Sequence, residues 1–258
     1  ELGAAISGDE FNLHFQPILD INRWRIEKAE ALLRWMHPRR GAVSPGVFIP
    51  LAEESGMITD IDRWVVRTAF RQVAEWQRAS QQMSLSINLS VLSLRDRDFI
   101  AFVSEQLVRT KIPAEWITFE ITESAAIEDP EATSRVLHSL RQLGFRLAID
   151  DFGRGYTSIV FLKNLPVDFV KIDKSFVDGI GQGPKEEGVL RAVLSLAKSL
   201  DIWTVAEGVE QASQLEWLAA HGCDFIQGWH IGKATRAHDF MTRARNVTPA
   251  RHSLATGR

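Results

Sequence analysis

Short apolar runs of strand length alternate along this chain with longer segments of helical period, and that alternation leaves few folds open. Eight runs read as strands: Phe11–Leu19, Arg25–Leu32, Leu85–Leu89, Ile117–Ile121, Leu147–Ile149, Phe169–Ile172, Trp203–Val205 and Asp224–Ile226. The segment Thr59 to Ala79 places Ile61, Trp64, Val65, Ala69, Val73 and Trp76 on one helical stripe, and Thr59 with Asp62 reads as a variant capping box at its start. Asp129 and Pro130 announce a second helix that carries Val136, Leu137, Leu140 and Leu143 inward and stops at Gly144. Two more helices fit between Lys185 and Leu200 and between Ala212 and His221, the last closed by Gly222. Strands with helices interposed imply a parallel sheet with right-handed crossovers. At 258 residues a closed (β/α)8 barrel is favoured over an open doubly wound sheet. The open sheet should carry a glycine fingerprint after its first strand, and neither that nor a Gly-Lys-Ser/Thr phosphate loop is present.

Composition narrows the chemistry. Cys223 is the only cysteine, so there is no internal disulfide and no Cys-rich zinc site, which fits a reducing compartment and a cytoplasmic domain. A formal charge of −3 argues against binding a nucleic acid polymer, while a small anionic ligand needs only a few placed Lys or Arg residues. No apolar run has the length of a membrane span, so no membrane contact is expected of this domain. The start at Glu1 and the polar stretch at the other end read as a domain cut from a longer protein, with any membrane anchor in the remainder. We expect one domain over residues 1–247 and a polar, disordered tail over 248–258.

The informative residues sit at the ends of the apolar runs. In order they are Glu30, Asn88, Glu120, Asp150 with Asp151, Lys171, Glu207 and Gln227. In a β/α barrel the C-terminal strand ends meet on one face, where active sites are built. Five carboxylates on one face would repel strongly, and Lys171 alone does not neutralise them. Divalent cations would. Carboxylate and amide oxygens without His or Cys are hard ligands, suited to Mg2+ or Mn2+ rather than Zn2+. Two adjacent aspartates at one strand end could bridge a pair of such ions, the arrangement used for in-line attack on phosphoesters. A single Glu or Asn at a strand end is usually a cap or loop hydrogen-bonder; seven successive strand ends bearing a polar ligand type are not explained by capping.

These residues resemble the signature of the EAL domain family. Glu30-Ala31-Leu32-Leu33-Arg34-Trp35 matches the motif that names it. The resemblance continues through Gln16-Pro17-Ile18, Phe48 to Glu53, Asn88-Leu89-Ser90, Glu120 to Glu123, Asp150 to Tyr156, Lys171-Ile172-Asp173 and Ala206 to Glu210, in the family's order. It implies a modified barrel with an antiparallel first strand and a metal-dependent phosphodiesterase that opens cyclic di-GMP to linear pGpG.

By motif position, Glu30, Asn88, Glu120 and Asp150 would hold one divalent cation, Asp150 and Asp151 would share or hold a second, and Glu207 and Gln227 would complete the site. Lys171 would position the attacking water. Glu207 is a general-base candidate, though a metal or water ligand until geometry decides. Arg34 would grip a substrate phosphate through its fork of donors, and Gln16, Glu53 and Asp173 would also contact substrate. Glu123, Phe152, Gly153 and Gly155 belong to a loop that in the family couples metal occupancy to dimer contacts, with Glu123 as its anchor. A homodimer and fusion to sensory or GGDEF-type domains are expected on the same ground. Three positions depart from the family pattern: Arg154 replaces a small polar residue between the glycines, Trp229 replaces a tyrosine, and Ala234 a proline. His230 is not read as a ligand, because the matched set is already full. Two alternatives stay open: a cyclic di-GMP receptor with weak or no turnover, and a barrel metallohydrolase for another phosphoester.

Overall fold

The computed structural model describes residues 1–128, 130–154 and 159–246. Asp129, Gly155, Tyr156 and the tail 248–258 therefore lie outside the described residues. Nine strands among them form one sheet: β1 Phe11–Asp20, β2 Arg25–His37, β3 Gly41–Val43, β4 Ser84–Asn88, β5 Ile117–Thr122, β6 Arg146–Phe152, β7 Phe169–Ile172, β8 Trp203–Ala206 and β9 Phe225–Gln227. Their order is β1-β9-β8-β7-β6-β5-β4-β2-β3, and β1 also pairs with β2, which closes eight of them into a barrel. β1 runs antiparallel to both β2 and β9, while the pairs from β2–β4 through β8–β9 are parallel. The barrel with a reversed first strand is thus present, and β3 is a short addition to the edge of β2.

Each expected strand forms: β7 has the expected bounds, β1, β5 and β8 gain one residue each, β4 and β9 shift by one, and β6 gains four. β2 is the largest extension, continuing to His37 because Leu33, Arg34 and Trp35 pair with Leu13, Asn12 and Phe11 of β1. The first long helix spans Ile58–Arg78 and buries Ile61, Val65, Ala69, Val73 and Trp76 as its stripe requires, with Trp64 half-buried. Its start corrects the capping-box expectation. The cap position is Met57 with no side-chain hydrogen bond, so Asp62 falls inside the second turn on the buried face, where it bonds to Ser90 and Ser93. Helices at Pro130–Gln142, Pro184–Ser199 and Ala212–Ala220 follow the expected pattern. The helix Phe99–Thr110 was not singled out from the sequence; it buries Phe99 and Val103 with Gln106, and Ile100, Phe102 and Leu107 pack partly against the same core.

Residues two apart on a strand share a face. Inside the barrel, Ile18, Ala148, Phe169 and Val205 pack together with Phe225 against them, and Lys28 lies over the Phe169 ring at 3.4 Å. Two positions further toward the open end of those strands come Gln16, Asp150, Lys171, Glu207, Gln227 and Glu30. An apolar floor thus supports a polar layer, and the same period 2 that fills the floor aims the polar side chains into the bowl above it.

Candidate active site

Lys171 is the hub of this polar layer. It is 1% exposed, and its Nζ lies 2.7 Å from Glu120 Oε2, 2.8 Å from Glu207 Oε1, 3.2 Å from Asp150 Oδ2 and 3.4 Å from Glu30 Oε2. Residues from β2, β5, β6, β7 and the residue just past β8 therefore converge on one amine. Glu30 is held from two further sides: Asn88 Nδ2 donates to Oε1 and Gln227 Nε2 to Oε2, both at 2.7 Å. Seven strand ends expected to converge do so, and the separation of up to 197 positions between Gln227 and Glu30 is closed by the barrel.

The two aspartates of β6 need a special backbone. On a regular strand neighbouring side chains point to opposite faces. Here the pairing of β6 with β7 is irregular between Ile149 and Phe152, and Asp151 takes a left-handed φ of 55°. Asp150 Oδ1 accepts the Asp151 N–H at 2.8 Å. As a result Asp150, Asp151 and Glu207 each present an oxygen within 4.8 Å of the others. Gly153 follows with φ 98°, and a Cβ there would come within 2.3 Å of the Phe176 ring. The Gly153 N–H donates to Glu123 Oε2 at 2.8 Å, so buried Glu123 does tie down the turn after the aspartates. Phe152 points into the core.

The electrostatics match the crowding. Burial alone would depress Lys171, but Glu120, Glu207, Glu30 and Asp150 hold it well above its ordinary value. Burial pushes Glu120 up to about 8 and Glu207 to about 7; Lys171 opposes both shifts, while neighbouring carboxylates reinforce them. Burial and the Asp150 charge also raise Asp151. Glu30 alone of these stays below the usual range: burial works against it, but Lys171 and the two amide donors prevail. Four carboxylates sharing one lysine, with Asp151 beside them, must take up protons or gain cations. Gln227 Oε1 adds a second sign, since it is buried without a hydrogen-bond partner although its amide nitrogen is engaged. An unused buried carbonyl oxygen beside hard carboxylates suits a hard divalent cation.

Two cavities flank the cluster. One of about 280 Å3 is lined by Arg34, Glu53, Asp62, Asn88 and Glu120 among others. Arg34 donates only to the Leu33 carbonyl at 2.9 Å and has no carboxylate partner among the described residues. The other, of about 330 Å3, is lined by Gln16, Glu30, Glu207, Gln227 and Trp229 among others. Asp173 lines neither cavity. Its carboxylate is 4% exposed, accepts the Ser175 N–H at 3.0 Å as the cap of helix Lys174–Val177, and pairs with Arg154. Residues not singled out from sequence include Gly208, which is pressed against Lys174 at φ 67°, and the Lys174–Glu210 ion pair at the second cavity's rim.

A sequence model described as the EAL domain matches residues 1–234. The chain belongs to the EAL domain family. It is 36% identical to the signaling protein YkoW of Bacillus subtilis over 93% of this chain and 30% of that protein. It is also 36% identical to the cyclic di-GMP phosphodiesterase NbdA of Pseudomonas aeruginosa, over 89% of this chain and 29% of that one. This EAL chain therefore spans about a third of the length of the curated relatives it matches. Among solved structures, the PaMucR phosphodiesterase in complex with c-di-GMP superposes with a TM-score of 0.88 at 34% identity, covering 93% of this chain and 97% of that one. The FimX EAL domain of Pseudomonas aeruginosa bound to c-di-GMP gives 0.85 at 29% identity, over 91% and 94%.

Proposed function

We propose that this EAL domain is a metal-dependent phosphodiesterase that hydrolyses cyclic di-GMP to linear pGpG. The observation that carries the reading is the convergence of Glu30, Glu120, Asp150 and Glu207 on Lys171, with Asn88 and Gln227 holding Glu30 and with Asp151 beside Asp150. Relatives and structural neighbours named for cyclic di-GMP support the substrate.

Glu30, Asn88, Glu120 and Asp150 would hold one divalent cation, Asp150 and Asp151 a second, with Glu207 and Gln227 completing the set; the oxygen donors favour Mg2+ or Mn2+. When bound, such a pair supplies concentrated positive charge against the phosphodiester oxygens. Lys171, a fully charged donor at pH 7, orients the attacking water. Glu207, 2.8 Å from Lys171 Nζ and beside Asp150 and Asp151, is placed to take that water's proton. Water oxygen then bonds to phosphorus, the bond from phosphorus to one ribose oxygen breaks, that oxygen takes up a proton from solvent to become a hydroxyl, and the ring opens. Arg34 has free donors facing a cavity that reaches Asn88 and Glu120, which fits a grip on a substrate phosphate. Glu53 lies in that cavity and Gln16 in the other, where they would meet the nucleotide. Asp173 would act by holding Arg154 and its own helix start.

The domain is placed by this reading in a longer cytoplasmic or membrane-anchored protein with sensory or GGDEF-type partners, and in a homodimer; a bifunctional diguanylate cyclase/cyclic di-GMP phosphodiesterase, MucR, is among its relatives. No helix among the described residues is long and apolar enough to cross a membrane. The test is incubation of the purified protein with cyclic di-GMP and Mg2+ or Mn2+, followed by nucleotide chromatography. Appearance of pGpG supports hydrolysis. Binding by calorimetry with no product under either metal would instead make the domain a receptor, a reading favoured only by the ion pair that Arg154 makes with Asp151.

A further inference from the structure

Arg154 stands one residue past the Gly153 turn, and its guanidinium reaches back across the site. Nη1 lies 3.3 Å from Asp151 Oδ1 and Nε lies 3.2 Å from Asp173 Oδ2, while the Arg154 N–H donates to the Asp151 carbonyl at 3.2 Å. The two carboxylates are unequal partners. Asp173 is 4% exposed and fixed by the Ser175 N–H, so it is the anchored end. Asp151 is half-exposed, sits in a left-handed backbone, and is the member of the Asp150–Asp151–Glu207 group with a side chain that reaches outward to Arg154. The guanidinium therefore places a fixed positive charge on the one carboxylate of the cluster that makes no ion pair with Lys171 among the described residues.

We propose that Arg154 is a tethered counter-cation that competes with the second divalent cation for Asp151, so that this residue sets how much free metal the domain needs. The proposal rests on the metal-dependent reading above and adds to it a role for Arg154. The physical basis is simple. A divalent ion at Asp151 must displace or crowd the guanidinium, and like charges a few ångströms apart repel. The tether is two-thirds exposed, with a side chain 64% accessible, so its hold is modest rather than a buried lock. Arg154 is accordingly a positioning residue: it orients Asp151 and raises the metal requirement without touching the reacting atoms.

The experiment follows Mn2+ binding directly, by the electron paramagnetic resonance signal of free Mn2+ and by calorimetry, in the wild type, Arg154→Ser and Arg154→Lys. The wild type should show a tighter and a weaker site. In Arg154→Ser the weaker site should tighten by roughly two- to fivefold, the range open to an exposed ion pair, and the tighter site should not move. Arg154→Lys, which keeps the charge but loses the two-pronged fork, should fall between them. The gap between wild type and Arg154→Ser should narrow in high salt, where exposed charges are screened. Equal affinities in all three proteins, or equal tightening of both sites in Arg154→Ser, would overturn the competition at Asp151. A wild type that binds no Mn2+ would instead remove the metal-dependent reading itself. Circular dichroism of each variant checks that the fold is intact, which the exposure of Arg154 leads us to expect.

Discussion

The Asp62 carboxylate accepts both the Ser90 hydroxyl, at 2.6 Å, and the Ser90 backbone N–H, at 3.0 Å. It thereby ties the long helix Ile58–Arg78 to the loop that follows Asn88. Ser93 Oγ adds a third donor at 2.7 Å. Burial nevertheless outweighs these bonds and pushes Asp62 up from its ordinary value of 3.8 to about 6. With its folded pKa above the unfolded one, the native state binds the Asp62 proton more tightly. This group's contribution to stability is then largest below about pH 4 and is lost as pH rises to about 6, amounting to about 3 kcal/mol over that window. Asp62→Asn keeps an acceptor but cannot ionise. Urea denaturation at pH 4.5 and pH 7 should show the variant gaining on the wild type by roughly 2 kcal/mol at the higher pH. A constant difference between the two proteins would mean that Asp62 stays charged throughout.

Removing the hub of the cluster should be felt first in the metal-free protein. Lys171→Met leaves Glu30, Glu120, Asp150 and Glu207 without their shared cation. Breaking a buried ion pair from one side costs about 3–5 kcal/mol. We expect a loss of that size in the presence of chelator, and partial recovery when Mg2+ or Mn2+ is added, read as denaturation midpoints. Turnover should not recover, because no other donor takes the place of Nζ. Full activity with metal present would remove Lys171 from the chemistry.

Much of this arrangement was legible because it depends on period and order. Asn88, Glu120, Asp150, Lys171, Glu207 and Gln227 lie at or just beyond the ends of apolar runs, Glu30 lies within the longer β2, and barrel closure does the rest. What sequence did not disclose was partner choice. Asp62 read as the capping-box partner of Thr59, whereas a cap position two residues earlier, at Met57, turns it toward Ser90. Asp173 read as a substrate contact by motif, yet a Ser175 N–H two residues on and Arg154 on another loop claim its oxygens. The paired aspartates could be read as site residues, but nothing local in them announces the left-handed φ that turns both toward the bowl. That turn is a tertiary result of the Glu123–Gly153 hydrogen bond and the Phe176 ring beneath it.

Gly153→Ala tests that turn. The added methyl would lie 2.3 Å from Phe176 and would have to adopt φ 98°. We expect a loss of roughly 2–3 kcal/mol in unfolding free energy from strain and overpacking together. Turnover should fall at least tenfold even where the protein remains folded, because Asp151 and Asp150 are placed by the same turn. Glu123→Gln makes a milder comparison, since it keeps an acceptor for the Gly153 N–H and should retain more activity than the alanine variant. Equal turnover in Gly153→Ala and wild type would show that the aspartates are positioned by other contacts.

Beneath the site, Lys28 should be a cost to stability rather than a support. It is 7% exposed, its Nζ rests 3.4 Å from the centre of the Phe169 ring, and it has no carboxylate partner within ion-pair distance among the described residues. Burial, outweighing the pull of Glu120, lowers its pKa from 10.5 to about 7. A folded value below the unfolded one means that unfolding takes up a proton between about pH 7 and pH 10.5, so the native state gains stability as pH rises through that window. Met has a similar length and no charge to desolvate. Lys28→Met should therefore stabilise the protein by about 1–3 kcal/mol at pH 7, the range seen when buried ions give way to apolar side chains. That advantage should shrink by pH 9.5, where the wild-type amine is neutral in the fold and its unfolded counterpart has begun to lose its proton too. Denaturation of both proteins at the two pH values checks this. A variant less stable than wild type at pH 7 would show that the cation's contact with the Phe169 face outweighs its desolvation.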